Sequence, residues 1–513
     1  MTFRRGHSYS VVSNMRIWAS AVLLVAAAWS KDRGVLYIIA SASSSTASCR
    51  PTMDSPSILS MSVDVRGLGP NGDDVSASPM SRNSRFGPTK RYRVVQVHIA
   101  HRHGDRTPIT PMKDTSYWSS TVLEREVLTT IGKGTSILRR RRDNSPIHTA
   151  GGQGPFGQLT QMGLVQMIEL GRRLREDLIC KDHDDATDKD THDGYQQDKT
   201  TGHWFRSHLW DLSSSPSPIQ DTKVLSTDFP RTIQSVQGLL MGLFPEGIRA
   251  EEEISIDCRH TSWMIPDPEP RRTFEQVERE MQLSSRPYIQ QRERELLPLA
   301  IRCTNALHDM LGEGAREINF ELGEDVRNVP GASDSVDERP LPWAQLAEIT
   351  KCLKVRNLLP SLITSTDQMT ITEHTAWRWF ETFRDPRLIH LATQPFASEI
   401  LHSMRHVSRE PSLVIYSGHD STLISLLCIF RLEQPSVWPD YGSYLKIELL
   451  EVTDDNVDEN GATTHQHHEP DYVVRFFFNG KLLRSNWDGE PRDMIPLNVL
   501  AHKIKMGGAV KAN

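Results

Sequence analysis

Apolar and polar residues alternate from Arg93 to Ala100, and the three valines in that run favour extended backbone, so it predicts a strand. The strand runs straight into His101-Arg102-His103-Gly104-Asp105-Arg106-Thr107-Pro108, where Gly104 and Pro108 predict an irregular loop. From Gln158 to Leu178 the period changes. Leu164, Met167, Ile168, Gly171, Leu174 and Leu178 recur at helical spacing, with Thr160 as the expected N-cap. Thr222 to Leu225 predicts a short strand, and Ile233 to Phe244 a helix that stops at Pro245. Residues 246–400 carry mostly helical signals with polar breaks such as Gly331 to Asp337, as expected of a helical cap. Ser412 to Tyr416 predicts a strand, Gly418 to Asp420 a turn and Ser421 to Phe430 a helix. Tyr444 to Val452 and Tyr472 to Phe478 predict paired strands. Strand, polar loop and helix recur in that order, which implies an α/β sheet with ligands at the carboxyl ends of its strands.

The first 90 residues follow a different pattern. Arg4, Arg5 and Arg16 precede the apolar run Ile17 to Ala28, the layout of a secretory signal, and the run is short for a bilayer span. A second apolar stretch, Val35 to Ala42, follows Lys31, Asp32 and Arg33. Cleavage near Ala28 or Ala42 is expected. An uncleaved signal anchor over residues 1–42, leaving a membrane tether, is the alternative. Residues 43–91 are rich in Ser, Asp, Gly and Pro and are expected to be a disordered linker, so that residues 92–500 form the folded domain.

The chain has 513 residues, more than one simple core needs. A net charge of -6 without a basic stripe argues against a nucleic-acid partner. Six cysteines are widely spread and no pair has metal-finger spacing; in a secretory compartment some are expected to pair, with Cys428 a buried thiol. The chain has no Asn-x-Ser/Thr acceptor. His465, His467 and His468 fall in a polar hairpin loop, and Arg139 to Arg142 and the acidic stretch Lys181 to Lys199 in solvated loops.

Arg102, His103, Gly104, Arg106 and Pro108 form R-H-G-x-R-x-P at a strand end. Two guanidinium forks can hold phosphoryl oxygens bidentately, and Gly104 would let backbone approach closely. Two neighbouring cations should depress the pKa of His103 and leave it a free nucleophile at acid pH.

The pattern resembles that of the histidine acid phosphatases, the family of lysosomal and prostatic acid phosphatases and phytases within the phosphoglycerate mutase-like group. Three more segments carry the resemblance: Leu159-Thr160-x-x-Gly163-x-x-Gln166 with Leu170-Gly171-x-x-Leu174-Arg175, Ser226-Thr227-Asp228-x-x-Arg231-Thr232, and Ser417-Gly418-His419-Asp420-Ser421-Thr422. It runs in order from about Tyr92 to about Asn486. It implies a Rossmann-type α/β sheet domain flanked by helices, with a smaller helical cap. It implies that His103 attacks phosphorus and becomes phosphohistidine, and that Arg102, Arg106, Arg231 and His419 bind phosphate. Asp420 would protonate the leaving oxygen, its pKa raised by the bound phosphate. It implies an acid pH optimum and no cofactor or metal, the arginines supplying the positive charge. Some family members carry a cysteine where Tyr444 stands, so one family disulfide is expected to be missing.

The expected substrate is a phosphomonoester and the expected location the secretory pathway: secreted, or in the lysosomal or Golgi lumen. A mutase of the same group is disfavoured, because Asp420 follows His419 where such mutases have glycine. A phytase-like enzyme, a sugar phosphatase acting on a group such as 2-phosphoxylose, and a non-catalytic luminal binding protein on the same fold remain as alternatives. Trp438 to Ser443 looks closer to the acid phosphatases than to the phytases. The sequence leaves the natural substrate and the oligomeric state open.

Overall fold

The computed structural model describes residues 24–30, 35–41, 90–139, 154–180, 209–211, 217–244, 252–259, 263–266, 273–316, 339–454 and 471–507. Cys49, Arg140 to Arg142, Lys181 to Lys199, Gly331 to Asp337 and the histidines 465, 467 and 468 lie outside these residues, as does the expected linker up to residue 89. Contacts divide the chain into two units, 1–85 and 86–513. In the first, β1 (Leu24–Ser30) pairs antiparallel with β2 (Val35–Ser41), Leu24 opposite Ser41.

The second unit is built on one mixed sheet. Its strands are β3 (Lys90–Arg102), β4 (Thr135–Arg139), β7 (Thr222–Thr227), β8 (Ile254–Arg259), β9 (Leu413–Gly418), β10 (Tyr444–Asp454), β11 (Asp471–Phe478) and β12 (Lys481–Leu483). They lie in the order β12-β11-β10-β3-β9-β7-β8-β4, with β15 (Ile495–Pro496) against β11. The run β3-β9-β7-β8-β4 is parallel, and β10, β11 and β12 add an antiparallel half. Two small ribbons stand apart, β5 (Ile179–Cys180) with β6 (Trp210–Asp211) and β13 (Ser485–Trp487) with β14 (Glu490–Arg492). β4 and β8 are not in the sequence reading, and β8 lies inside the stretch expected to be cap. Its Ile254, Ile256 and Cys258 alternate into the core, and β7 and β4 supply partners on both sides.

Both faces of the parallel half are covered, so its strands are apolar on both sides. Leu413 and Ile415 of β9 join the core formed with α3 (Gln161–Leu178) and α4 (Pro230–Leu243). Val414 and Tyr416 face the opposite core with α9 (Pro386–Arg405), α10 (Asp420–Ile429) and α11 (Leu497–Met506). Each such side chain contributes about 1.5–3 kcal/mol of burial. α3 starts where Thr160 accepts a hydrogen bond from Gly163 N, and it buries Leu164, Met167, Leu170, Leu174 and Leu178 along one stripe. Pro230 opens α4, its fixed φ suiting the first turn.

A third core is mainly helical. α6 (Pro287–Leu307) and α7 (Trp343–Val355) pack with Trp118 of α1 (Thr115–Thr121), Met112 and Phe156. α2 (Arg125–Gly132) packs instead on α4 through a small cluster with Ile131, and α5 (Phe274–Ser284) places Leu283 in the sheet-side core with α9. α8 (Ser365–Phe383) joins two cores: Ile371 packs in the helical one, Phe380 and Phe383 on the sheet side. Of the stretch expected to be cap, α9 therefore belongs to the sheet. Cys258, Cys303, Cys352 and Cys428 are free thiols, Cys428 half-buried rather than fully buried.

Candidate active site

Three neighbouring parallel strands end on one line. Arg102 at the end of β3 pairs with Gly418 at the end of β9, and Ser226 of β7 pairs with Ser417. The residues that follow, His103, His419 and Thr227 with Arg231 behind it, therefore converge at the carboxyl edge. β3 extends two residues past its expected end, because β9 and β10 pair with it through His101 and the β9 ladder continues to Arg102. All six residues expected in the site are buried there or, for Asp420, nearly so.

The ring of His103 is 2% exposed. Its Nδ1 lies 2.8 Å from the Gly104 carbonyl oxygen. A carbonyl oxygen only accepts, so Nδ1 carries the hydrogen and the neutral ring's lone pair sits on Nε2. Burial, then the charges of Arg231, Arg102 and Arg106, push the pKa of His103 well below the ordinary histidine value. The sequence reading named two of those arginines; burial and Arg231 act more strongly.

Arg102 donates through Nη1 to the Pro439 carbonyl at 2.5 Å and pairs through Nη2 with Asp420 Oδ2 at 2.8 Å. Its guanidinium carbon lies 4.2 Å from the centre of the Tyr441 ring. Arg106 pairs with Glu348 at 2.6 Å. The Nε atoms of Arg102 and Arg106 are buried with no hydrogen-bond partner among the described residues. Buried donors of this kind call for an acceptor. Arg231 donates to the Gly157 carbonyl at 3.5 Å and stacks over Phe229. His419 stands edge-on to His103, ring centres 5.6 Å apart, and its Nε2 is 3.0 Å from Thr227 Oγ1. Burial and Arg231 hold the pKa of His419 well below its usual range.

Asp420 is the first residue of α10. Its Oδ1 accepts from Ser421 N and its Oδ2 from Trp438 Nε1 at 2.9 Å. Burial by itself would raise its pKa, but Arg102, His419 and the Trp438 hydrogen bond outweigh it and bring the carboxyl below the usual value. The sequence reading expected a raised value next to phosphate. That expectation concerns the phosphate-bound site; the depression here is set by Arg102 directly on the carboxylate.

Gly104 also serves a packing purpose that the sequence reading did not name. A Cβ there would fall 2.3 Å from the Gly163 carbonyl oxygen, and a Cβ on Gly163 would fall 2.1 Å from the Asp105 carbonyl oxygen. The close approach is between the nucleophile loop and the first turn of α3. Gln166 accepts from Asp105 N, Ser235 from Gly104 N, and the Asp105 carboxylate holds Thr160 and Arg356. Arg139, read as part of a solvated loop, is a surface residue paired with Asp228 at 2.9 Å.

The sequence reading missed three groups here as site residues: Trp438 on Asp420, Tyr441 beneath Arg102, and Glu348 on Arg106. The first two belong to the segment 438–443, whose aromatic residues are the signal that could have found them. Glu348 gave a fainter one, a carboxylate between Leu346, Ala347 and Ile349 on a helix buried nearly all round.

The family described as histidine phosphatase superfamily (branch 2) matches residues 93–264 and 366–479. Counting factor 60 of Dictyostelium discoideum is 24% identical over 409 residues, 75% of this chain and 79% of that protein. A probable acid phosphatase of the same organism is 22% identical over 377 residues, 71% of this chain and 68% of that protein. Among solved structures, the phytase of Citrobacter braakii superposes with a TM-score of 0.46 at 15% identity, covering 81% of this chain and 98% of its own.

Proposed function

We propose that this chain, which belongs to the histidine phosphatase superfamily (branch 2), hydrolyses phosphate monoesters through a phosphohistidine formed on His103. The observation that carries the reading is the His103 tautomer among three arginines. Nδ1–H is tied to the Gly104 carbonyl, and the lone pair on Nε2 is kept unprotonated by burial and cationic neighbours.

In the first step Nε2 attacks phosphorus, the P–O bond to the alcohol breaks, and Asp420 gives its proton to the departing oxygen. Arg102, Arg106, Arg231 and His419 face the negative charge spread over the equatorial oxygens. In the second step water attacks phosphohistidine, Asp420 takes back a proton, and inorganic phosphate leaves with His103 restored. Asp420 must hold a proton to begin. A phosphoryl dianion between the guanidiniums gives Arg102 a second acceptor and sets negative charge beside the carboxyl, and both effects raise its proton affinity. That requirement and the depressed pKa of His103 together favour acid pH. The relative called a probable acid phosphatase supports the same class of reaction.

The same proposal places the protein in the secretory pathway, on the strength of Arg4, Arg5 and Arg16 before Ile17 to Ala28. Fractionation with N-terminal sequencing checks it: a released chain beginning after Ala28 or Ala42 marks cleavage, a membrane-bound chain beginning at Met1 marks the tether, and a cytosolic chain overturns the reading.

The test is hydrolysis of an aryl phosphate at about pH 5 with EDTA present, with His103→Ala lowering kcat by about 10³-fold or more and leaving no acid-labile phosphoprotein. Undiminished turnover in the variant overturns the reading.

A further inference from the structure

α7 lies outside the two segments that the family matches, and it faces the nucleophile loop with a regular series of contacts. Glu348, Cys352 and Arg356 stand four residues apart, so they share one face of the helix. Arg356, at its C-cap, holds the Asp105 carboxylate at 2.5 Å. Cys352 lies 3.6 Å from the Arg106 carbonyl. Glu348 makes the densest contact of the three. Its Oε1 accepts from Arg106 Nη1 and from Ile109 N, both at 2.6 Å, and its Oε2 from the Thr110 hydroxyl at 3.4 Å. Glu348 is 6% exposed and Arg106 5%.

A buried carboxylate beside an anion site needs a reason. Its charge opposes the charge of a phosphoryl group, and taking it out of water is unfavourable. Charge is therefore not what Glu348 contributes to binding. Its Oε1 ties Arg106 Nη1 and the backbone of Ile109 into one frame while Oε2 takes the Thr110 hydroxyl, which sets the direction in which the remaining guanidinium donors point.

We propose that Glu348 is a positioning residue for phosphoryl transfer: α7 braces Arg106 by the reach of the Glu348 carboxylate rather than by its charge. The proposal rests on the phosphatase reading above. Glu348→Gln keeps the reach and an acceptor oxygen but removes the charge. Glu348→Asp keeps the charge but withdraws the oxygens by one methylene. A displacement of this size at an oriented site can cost about 10²-fold in rate.

The experiment measures kcat and KM for an aryl phosphate, and tungstate affinity by calorimetry, in the parent, Glu348→Gln and Glu348→Asp. The expected result is Gln within about threefold of the parent and Asp lower by about tenfold or more in kcat, with tungstate affinity in the same order. Activity of Asp equal to or above that of Gln overturns the brace. A purely structural role would lower the melting temperatures of both variants and leave kcat per folded molecule unchanged, which also overturns it. Calorimetry needs no turnover. A parent that binds tungstate and hydrolyses no ester refutes the phosphatase reading, and the order of affinities still decides the brace.

Discussion

Two groups of buried charges lie on opposite halves of the sheet, and their balance differs. In the antiparallel half, Lys446 bridges Asp177 at 2.6 Å and Glu448 at 2.9 Å, and Glu448 also holds Arg475. Two cations meet two carboxylates there, with Lys446 and Arg475 both near the Phe477 ring. At the carboxyl edge of the parallel half, three guanidiniums, of Arg102, Arg106 and Arg231, meet two carboxylates, of Asp420 and Glu348. Two arginine Nε donors there lack an acceptor among the described residues. Every charge of the first group has an opposite partner among the described residues. The Nε donors of Arg102 and Arg106 in the second group suit an anion, which on the reading proposed above is the phosphoryl group of a substrate.

The sharpest way to break this contrast is Asp420→Asn. If the edge group serves catalysis, the variant loses the acid and slows an alkyl phosphate by about 10²–10⁴-fold, and an aryl phosphate with its better leaving group far less. Equal loss on both esters, read as kcat/KM so that the shared second step does not enter, would refute the acid assignment. Glu448→Ala should act in the opposite sense. It leaves buried cations short of a carboxylate and should cost about 3–5 kcal/mol of stability in chemical denaturation, while kcat of the folded protein stays within about twofold. A large fall in kcat at unchanged stability would erase the distinction between the two groups. The smallest effect is expected of Trp438→Phe. Its indole N–H favours the Asp420 carboxylate, so its loss raises the Asp420 pKa. An acid is lost as pH rises through its pKa, so the alkaline limb of the kcat profile should move to higher pH, with kcat changed by about threefold.

The parts of this contrast that the sequence made legible are those with a local period or a fixed motif. Strand β3 and helices α3 and α10 stand out by spacing, the six site residues by the motifs that carry the family resemblance, and the six converge. What was hidden depends on partners far along the chain. Ile254–Arg259 reads as a strand only when β7 and β4 are there to pair with it. Glu348 meets Arg106 across 242 residues, and no periodicity encodes that distance. The Arg102 contact of Asp420 was hidden for the same reason, because it depends on where two strand ends stop.

Gly104 and Gly163 press backbone against backbone, and that contact limits how the sequence can change. A clash between two side chains can be relieved by trimming one of them. Here each added Cβ would strike a carbonyl oxygen, which no substitution can shorten. A change at either glycine has no compensating change at the other. The two positions, 59 residues apart, form a point in mutational space with no exit by single or paired steps. Any variant library that samples one of them spends those members on chains whose nucleophile loop cannot seat against α3.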